Sequence, residues 1–278
     1  MASGAAVTAH YARRGRLAPR ILALAAEAKG DGPLSAADLA AFDQLHPRGR
    51  EATDELADLI DWRGVARFLD LGCGLGGPAR YLAETRGAAA VGIDLTESFC
   101  AVARELAGAT GAAAVFACAD ATRLPFPEGA FPLVLLQAAT MNIPDKATLY
   151  REVARVLAPG GHFLLLDLQL GPVGEPHFPV PWASEAGASH LLAPGEVRAL
   201  IEGAGLTCRL WQDRTPVVRA AIEAQRREAA ELKAAGRSLP PGAHTLQGPE
   251  FREMAANLAR NLAEERVVVT SGLFAKPA

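Results

Sequence analysis

The chain has 278 residues, half of them apolar, enough to bury a sizeable core in one large domain or one domain with additions. A net charge of −3 with both signs interspersed excludes the broad basic surface of a nucleic-acid-binding protein. The four cysteines, Cys73, Cys100, Cys118 and Cys208, lie far apart, with no C-x-x-C pair and no clustered histidines. That spacing fits free thiols in a reducing compartment and argues against disulfides or a metal site.

In chain order, RRGRLAPRILALAAEA at residues 13–28 has the outline of a twin-arginine export signal. Its uncharged run is short and Pro19-Arg20 interrupts the approach to it, so a helix over 21–29 and a cytoplasmic location are expected. No stretch reaches membrane-spanning length. A loop with Gly30, Gly32 and Pro33 follows, then a helix over 49–61 on which Leu56, Leu59 and Ile60 recur at helical spacing. Residues 1–62 thus read as an N-terminal helical cap, and 63–278 as a separate α/β domain.

From residue 64 short apolar runs alternate with helical segments. Strands are expected at VARFLDL (65–71), AAAVGIDL (88–95), AAVFACAD (113–120), FPLVLLQA (131–138) and HFLLLDLQL (162–170). Helices are expected over 77–86, over 96–107 with Thr96 as N-cap, and over 145–161 up to Pro159 and its glycines. Continuous apolar strands alternating with helices indicate a doubly wound parallel sheet covered on both faces. A helix over 193–206 and a strand over 207–215 come next. Residues 216–264 read as a charge-rich helical insertion, serving as a lid or as padding, and a last strand over 266–277 would lie at the sheet's side. The apolar positions of AAIEAQRREAAELKAAG would line either a homodimer interface or the sheet.

DLGCGLGGPAR, residues 70–80, packs four glycines between the first strand and its helix. Gly72, Gly74 and Gly77 satisfy G-x-G-x-x-G, a spacing that turns the chain sharply and aims backbone N–H groups at a nucleotide. On its own that turn serves a nicotinamide-dependent oxidoreductase equally well. Three strands in succession end in an aspartate, however: Asp70, Asp94 and Asp120. Each has a bland reading as a turn cap, but three in register place carboxylates along one edge of the sheet.

FLDLGCGLGG, VGIDLTESFCAVAREL, ADATRLPFPEGAFPLVLL and YREVARVLAPGGHFLLLD, in that order, resemble the successive motifs of the class I S-adenosylmethionine-dependent methyltransferases. The resemblance implies a Rossmann-like doubly wound seven-stranded sheet with an antiparallel last strand, and S-adenosyl-L-methionine as cofactor. It also implies site roles. Asp70 with Gly72, Gly74 and Gly76 would hold the methionine part, Asp94 the ribose hydroxyls, and Leu95 would flank the adenine. Asp120 would accept from the adenine amino group and Ala121 donate its N–H. Gln137 would lie near the sulfonium and Tyr11 over the cofactor.

MNIPDKATLY, HFPVPWASEAGASHLL and DQLHPRGREAT are similar to a subgroup of that family that methylates nitrogen, oxygen or carbon of small molecules. The expected partner is therefore a small-molecule methyl acceptor. His46, His177 and Met141 are the candidates on the catalytic side; Arg48, Asn142, Trp182 and His190 are the candidates for acceptor binding. Where related sequences often carry histidine after the glutamine, this chain has Ala138, which removes an obvious base beside the donor methyl. A non-catalytic S-adenosylmethionine-binding module is a further alternative.

Overall fold

The computed structural model describes residues 17–246 and 250–278. Among these, seven strands form one sheet: β1 (Arg67–Leu71), β2 (Ala89–Asp94), β3 (Ala114–Cys118), β4 (Phe131–Gln137), β5 (Leu157–Leu170), β6 (Thr207–Asp213) and β7 (Val267–Ala275). Their order is β3-β2-β1-β4-β5-β7-β6. β1 to β5 pair in parallel, and β7 runs antiparallel to both β5 and β6. The last strand is thus inserted inside the sheet, not laid at its side. Its apolar run explains the place: Val267, Val269 and Phe274 are buried, whereas β6 is half-exposed along its length and suits an edge.

The period-two alternation of a strand divides the core into two layers. On β4, Leu133 and Leu135 pack against one face with Phe68, Leu164 and Leu166. Val134 and Leu136 pack against the other with Leu149, Val153 and Ile201. Both faces being covered accounts for the uninterrupted apolar strands.

The helices are α1 (Leu17–Lys29), α2 (Ala36–Asp43), α3 (Gly49–Ala57), α4 (Gly77–Arg86), α5 (Glu97–Thr110), α6 (Lys146–Val156), α7 (Pro194–Gly203), α8 (Thr215–Ala234), the four-residue α9 (Ala243–Leu246) and α10 (Phe251–Ala263). α2 lies where only a loop was read. Its signal is Ser35-x-x-Asp38: the Ser35 hydroxyl accepts from the Asp38 N–H while the Asp38 carboxylate accepts from the Ser35 N–H. α3 stops at Ala57, because Leu59 and Ile60 close i→i+3 turns in place of a further helical turn. Thr96 stands at the N-cap of α5, but its side chain makes no cap bond. α8 and α10 pack on β7 and on each other, and α9 touches α2.

The cap is docked by one buried cation. Arg80 on α4, fully buried, donates to the Asp43 carboxylate at 2.5 Å and to the carbonyls of Leu75 and Ala103 at 2.7 and 3.2 Å. A Cβ at Gly77 would sit 2.6 Å from the Asp43 carbonyl and carboxylate oxygens, so this glycine is what lets α2 seat on α4. Around this pair Leu17, Ile21, Leu39 and Phe42 of the cap pack on Leu75, Phe99 and Leu106. Arg80→Met leaves a buried, uncompensated carboxylate and is expected to destabilise the fold by about 3–5 kcal/mol. Combining it with Asp43→Leu is expected to recover most of that loss, which urea unfolding of the two variants measures.

Candidate functional site

Connections leave β1 and β4 toward opposite sides of the sheet, which opens a crevice beyond their carboxyl ends. The glycine turn, the ends of β2 and β4, the loop after β3 and the cap segment 43–46 all line it. Gly72 adopts φ +69°, and a Cβ there would lie 2.4 Å from the Ala139 Cβ; only glycine lets the turn pass beneath the β4 loop. Gly76, also left-handed, starts α4 and so directs that helix's N-terminus toward the crevice.

The acids divide by environment. Asp70 is buried and lines the crevice, and its Oδ2 has no partner in the protein. Burial, reinforced by the nearby negative charge of Asp94, pushes its carboxyl up to about 7. Asp94 holds the turn in place: its two oxygens accept from the N–H groups of Gly74 (3.0 Å) and Thr96 (2.8 Å). Burial raises its carboxyl as well, against those two bonds. Asp120 is exposed, and one oxygen accepts from both the N–H and the hydroxyl of Thr122. Leu95 and Ala121 stand beside these acids on the wall of the crevice, Leu95 with 40% exposure.

At the other end, Gln137 is buried with its Nε2 unpartnered. Its Oε1 lies 3.3 Å from the Thr53 hydroxyl, which also lies 2.7 Å from Gln44 Oε1 and 3.2 Å from His46 Nε2. Burial pushes the His46 imidazole down to about 4, so it is neutral at physiological pH. Thr53 and Gln44 stand close to His46 within DQLHPRGREAT; what the fold adds is Gln137 of β4, brought to the Thr53 hydroxyl. Immediately after Gln137, Ala138 takes the left-handed conformation at φ 49°, which costs a non-glycine residue about 1–2 kcal/mol. Its N–H donates to the Leu166 carbonyl at 2.8 Å, one of the contacts that hold it there.

Met141 and Asn142 follow in a short 3-10 turn and line the crevice with Ile143, Pro181 and Trp182. The Asn142 amide donates to the Trp182 carbonyl at 2.9 Å, and the buried Trp182 indole donates to the Ser189 hydroxyl at 3.0 Å. Lys146, missed in the sequence, is buried beneath this turn; its ammonium donates to the carbonyls of Thr140, Ile143 and His190 at 2.7, 2.8 and 2.5 Å.

Three sequence candidates stand elsewhere. Arg48 is committed to Glu51 and Glu55 at the start of α3 and does not line the crevice. His177 pairs with Glu264 at 2.7 Å and, through its backbone, with Asn261, tying the β5–α7 loop to α10. His190 uses its backbone to bind Met141 and Lys146, and its ring is not part of the crevice wall. For Arg48 and His177 the polar head of the side chain found a nearer structural partner. Tyr11 lies outside the described residues. None of the described residues of the 216–264 insertion lines the crevice. No group of described residues is placed to hold a metal ion, and no described helix is long and apolar enough to cross a membrane.

Residues 69–165 match the sequence family described as a methyltransferase domain. A phosphoethanolamine N-methyltransferase of Triticum aestivum is 36% identical over 128 residues, 46% of this chain and 25% of that protein. The 27-O-demethylrifamycin SV methyltransferase of Amycolatopsis mediterranei is 36% identical over 122 residues, 43% of this chain and 45% of that enzyme. The chain therefore spans half or less of the length of these relatives. In overall fold it is similar to phosphoethanolamine N-methyltransferase 2 of Haemonchus contortus, solved with phosphomonomethylethanolamine and S-adenosylhomocysteine. That likeness has a TM-score of 0.71 at 19% identity and covers 85% of this chain and 55% of the other.

The crevice fits S-adenosylmethionine. The unpartnered Asp70 oxygen suits the ligand's ammonium, and the carboxylates at the ends of β2 and β3 can accept from ribose hydroxyls and an adenine amino group. The raised Asp70 carboxyl has a pH consequence with a definite sign. In the ligand-free protein it is protonated below about 7, whereas an ammonium beside it favours the ionised form. Affinity for S-adenosylhomocysteine is expected to fall as pH drops below 7 and to level off above it. Calorimetry in buffers of different ionisation enthalpy is expected to find proton release on binding near pH 6 that fades toward pH 8.

Proposed function

We propose that this chain, with its methyltransferase domain, transfers the methyl group of S-adenosylmethionine to a small-molecule acceptor in the cytoplasm. The observation that carries the reading is the buried, unpartnered Asp70 oxygen at the glycine turn, with Asp94 and Asp120 on the neighbouring strand ends. A buried anion without a partner is costly, and a cationic ligand relieves it. In this reading residues 1–62 are a cap over the cofactor, 63–278 the methyltransferase domain, and 216–264 an insertion that covers the sheet. Self-association through the exposed face of α8 is the accompanying expectation, which sedimentation reads.

When bound, the sulfonium supplies an electrophilic methyl group for in-line displacement. The chain's part is alignment and exclusion of water. Asp70 holds the ammonium, Asp94 the ribose, and Asp120 with the Ala121 N–H the adenine, while Gln137 faces the reacting end. Alignment of this kind contributes up to about 7–11 kcal/mol to lowering a barrier. Neutral His46 stands on the crevice wall as a weak base, because burial pushes it down to about 4, with its Nε2 toward Gln44 and Thr53 and its Nδ1 toward the Pro47 carbonyl.

Calorimetric titration with S-adenosylmethionine, S-adenosylhomocysteine and NADH tests the reading. Both sulfur nucleotides are expected to bind and NADH is not. Asp94→Ala removes the acceptor that also pins the Gly74 and Thr96 N–H groups, and is expected to weaken binding by about 10- to 100-fold. A preference for NADH would reinstate nicotinamide chemistry. Binding without formation of S-adenosylhomocysteine across a panel of amines, phenols and carbon acids would favour a non-catalytic module.

A further inference from the structure

We infer that the insertion ending in α10 positions one wall of the acceptor end through Asn257 and Asn261, which grip the loop that carries Pro181 and Trp182. The inference rests on the methyl-transfer reading for what that wall contacts, and it gives the insertion a role beyond covering the sheet.

Pro181 and Trp182 line the crevice from the connection that follows β5. Before them this connection is anchored at every second residue. The Gly171 N–H donates to the Arg266 carbonyl at 2.8 Å, and the Val173 N–H to the Glu265 carbonyl at 3.4 Å. The Arg266 guanidinium donates to the Glu175 carbonyl at 2.8 Å. One side chain holds both backbone groups of His177: its N–H donates to Asn261 Oδ1 at 2.7 Å, and its carbonyl accepts from Asn261 Nδ2 at 3.0 Å. Asn257 Nδ2 donates to the Pro179 carbonyl at 3.0 Å. A period of two is that of an extended chain, which turns the same backbone edge to its support at alternate residues. Val180 and Ala183 then exchange both their backbone bonds, at 2.8 and 3.1 Å. That closes a tight turn with Pro181 and Trp182 at its tip, so the grip on Pro179 reaches the crevice through very few free torsions.

A helix that only covered the sheet would need only an apolar face. Leu258 and Leu262 supply one, in the same cluster as Val180, Trp182 and Ala183. Asn257 and Asn261, four residues apart, form a polar stripe beside it. Asn261 is fully buried, and a buried carboxamide is costly unless both its ends are bonded. Both ends are bonded to a single residue of the loop, which fixes that backbone in orientation as well as in place. Farther along, the His190 N–H donates to the Met141 carbonyl and the Trp182 indole to the Ser189 hydroxyl, so the wall is held on both sides. The glycine turn is held by other elements, Asp94 of β2 and Arg80 of α4. Loosening the α10 grip therefore acts on the acceptor end and spares the cofactor end.

The test uses the whole protein labelled with 5-fluorotryptophan, in which Trp62, Trp182 and Trp211 give one fluorine resonance each. Trp182→Phe assigns the signal of interest. Asn261→Leu is expected to shift the Trp182 resonance, to leave the other two in place, and to keep S-adenosylhomocysteine affinity within about twofold. For whichever amine, phenol or carbon acid the wild type methylates, the acceptor KM is expected to rise by about tenfold. Asn257→Leu, which drops only the Pro179 bond, is expected to act in the same direction and decides the matter if Asn261→Leu does not fold. A lower unfolding midpoint with either the Trp182 resonance or the acceptor KM unmoved overturns the inference and leaves α10 a cover for the sheet. An equal loss of S-adenosylhomocysteine affinity overturns it as well. A wild type that binds no S-adenosylhomocysteine, or methylates none of the acceptors, overturns the methyl-transfer reading instead, and the Trp182 resonance still decides what α10 does.

Discussion

A single buried guanidinium joins the parts of the molecule that form the crevice. Arg80 bonds the glycine turn through the Leu75 carbonyl, α5 through the Ala103 carbonyl and the cap through Asp43, and its Cζ lies 5.8 Å from the centroid of the Phe116 ring of β3. A planar fork with several fixed donors can serve these directions at once, which a lysine could not. The consequence reaches the site. Asp43 is followed, after Gln44, by Leu45 and His46 on the crevice wall, so docking the cap also sets the position of the imidazole. Gly77 belongs to the same device, because its missing Cβ is the space in which Asp43 sits.

The cofactor end is built in electrostatic tension. Burial raises the cost of ionising both Asp70 and Asp94, and the charge of Asp94 raises that of Asp70 further. The same negative surroundings, after burial, push the Cys73 thiol of the glycine turn well above its usual range, leaving it a small buried group and not a nucleophile. Such a site gains by taking up positive charge, and both the ammonium and the sulfonium of S-adenosylmethionine supply it. The stored cost becomes binding selectivity for a cationic nucleotide.

The acceptor end is held differently, by backbone clamps. Lys146 gathers two loops by their carbonyls, with Asp167 below accepting from the Thr140 hydroxyl. Burial pulls the Lys146 ammonium down to about 8, while the Asp167 charge opposes that fall. The Asn142 amide and the His190 N–H complete the stitching between the turn after β4 and the loop carrying Trp182. These groups present an apolar surface because their polar atoms are spent on each other.

Local chemistry made much of this legible in advance. Apolar runs of strand length, Thr96 before α5, the glycine turn and the three strand-end aspartates are written in neighbouring residues, and the sheet and cofactor end follow from them. The Ser35-x-x-Asp38 capping box that starts α2 is equally local, although the glycines and proline before it pointed only to a loop. By itself the sequence determined the α/β class, the strand succession and the acids beyond β1, β2 and β3, because periodicity and turn chemistry act over a few residues. Only the tertiary structure decided that β7 enters the sheet between β5 and β6 and that Arg80 pins the cap. It alone brought Gln137 to Thr53 and took His177 to Glu264. Those outcomes depend on which distant polar group reaches a buried side chain first, and satisfying every buried charge and hydrogen bond is a condition on the whole fold.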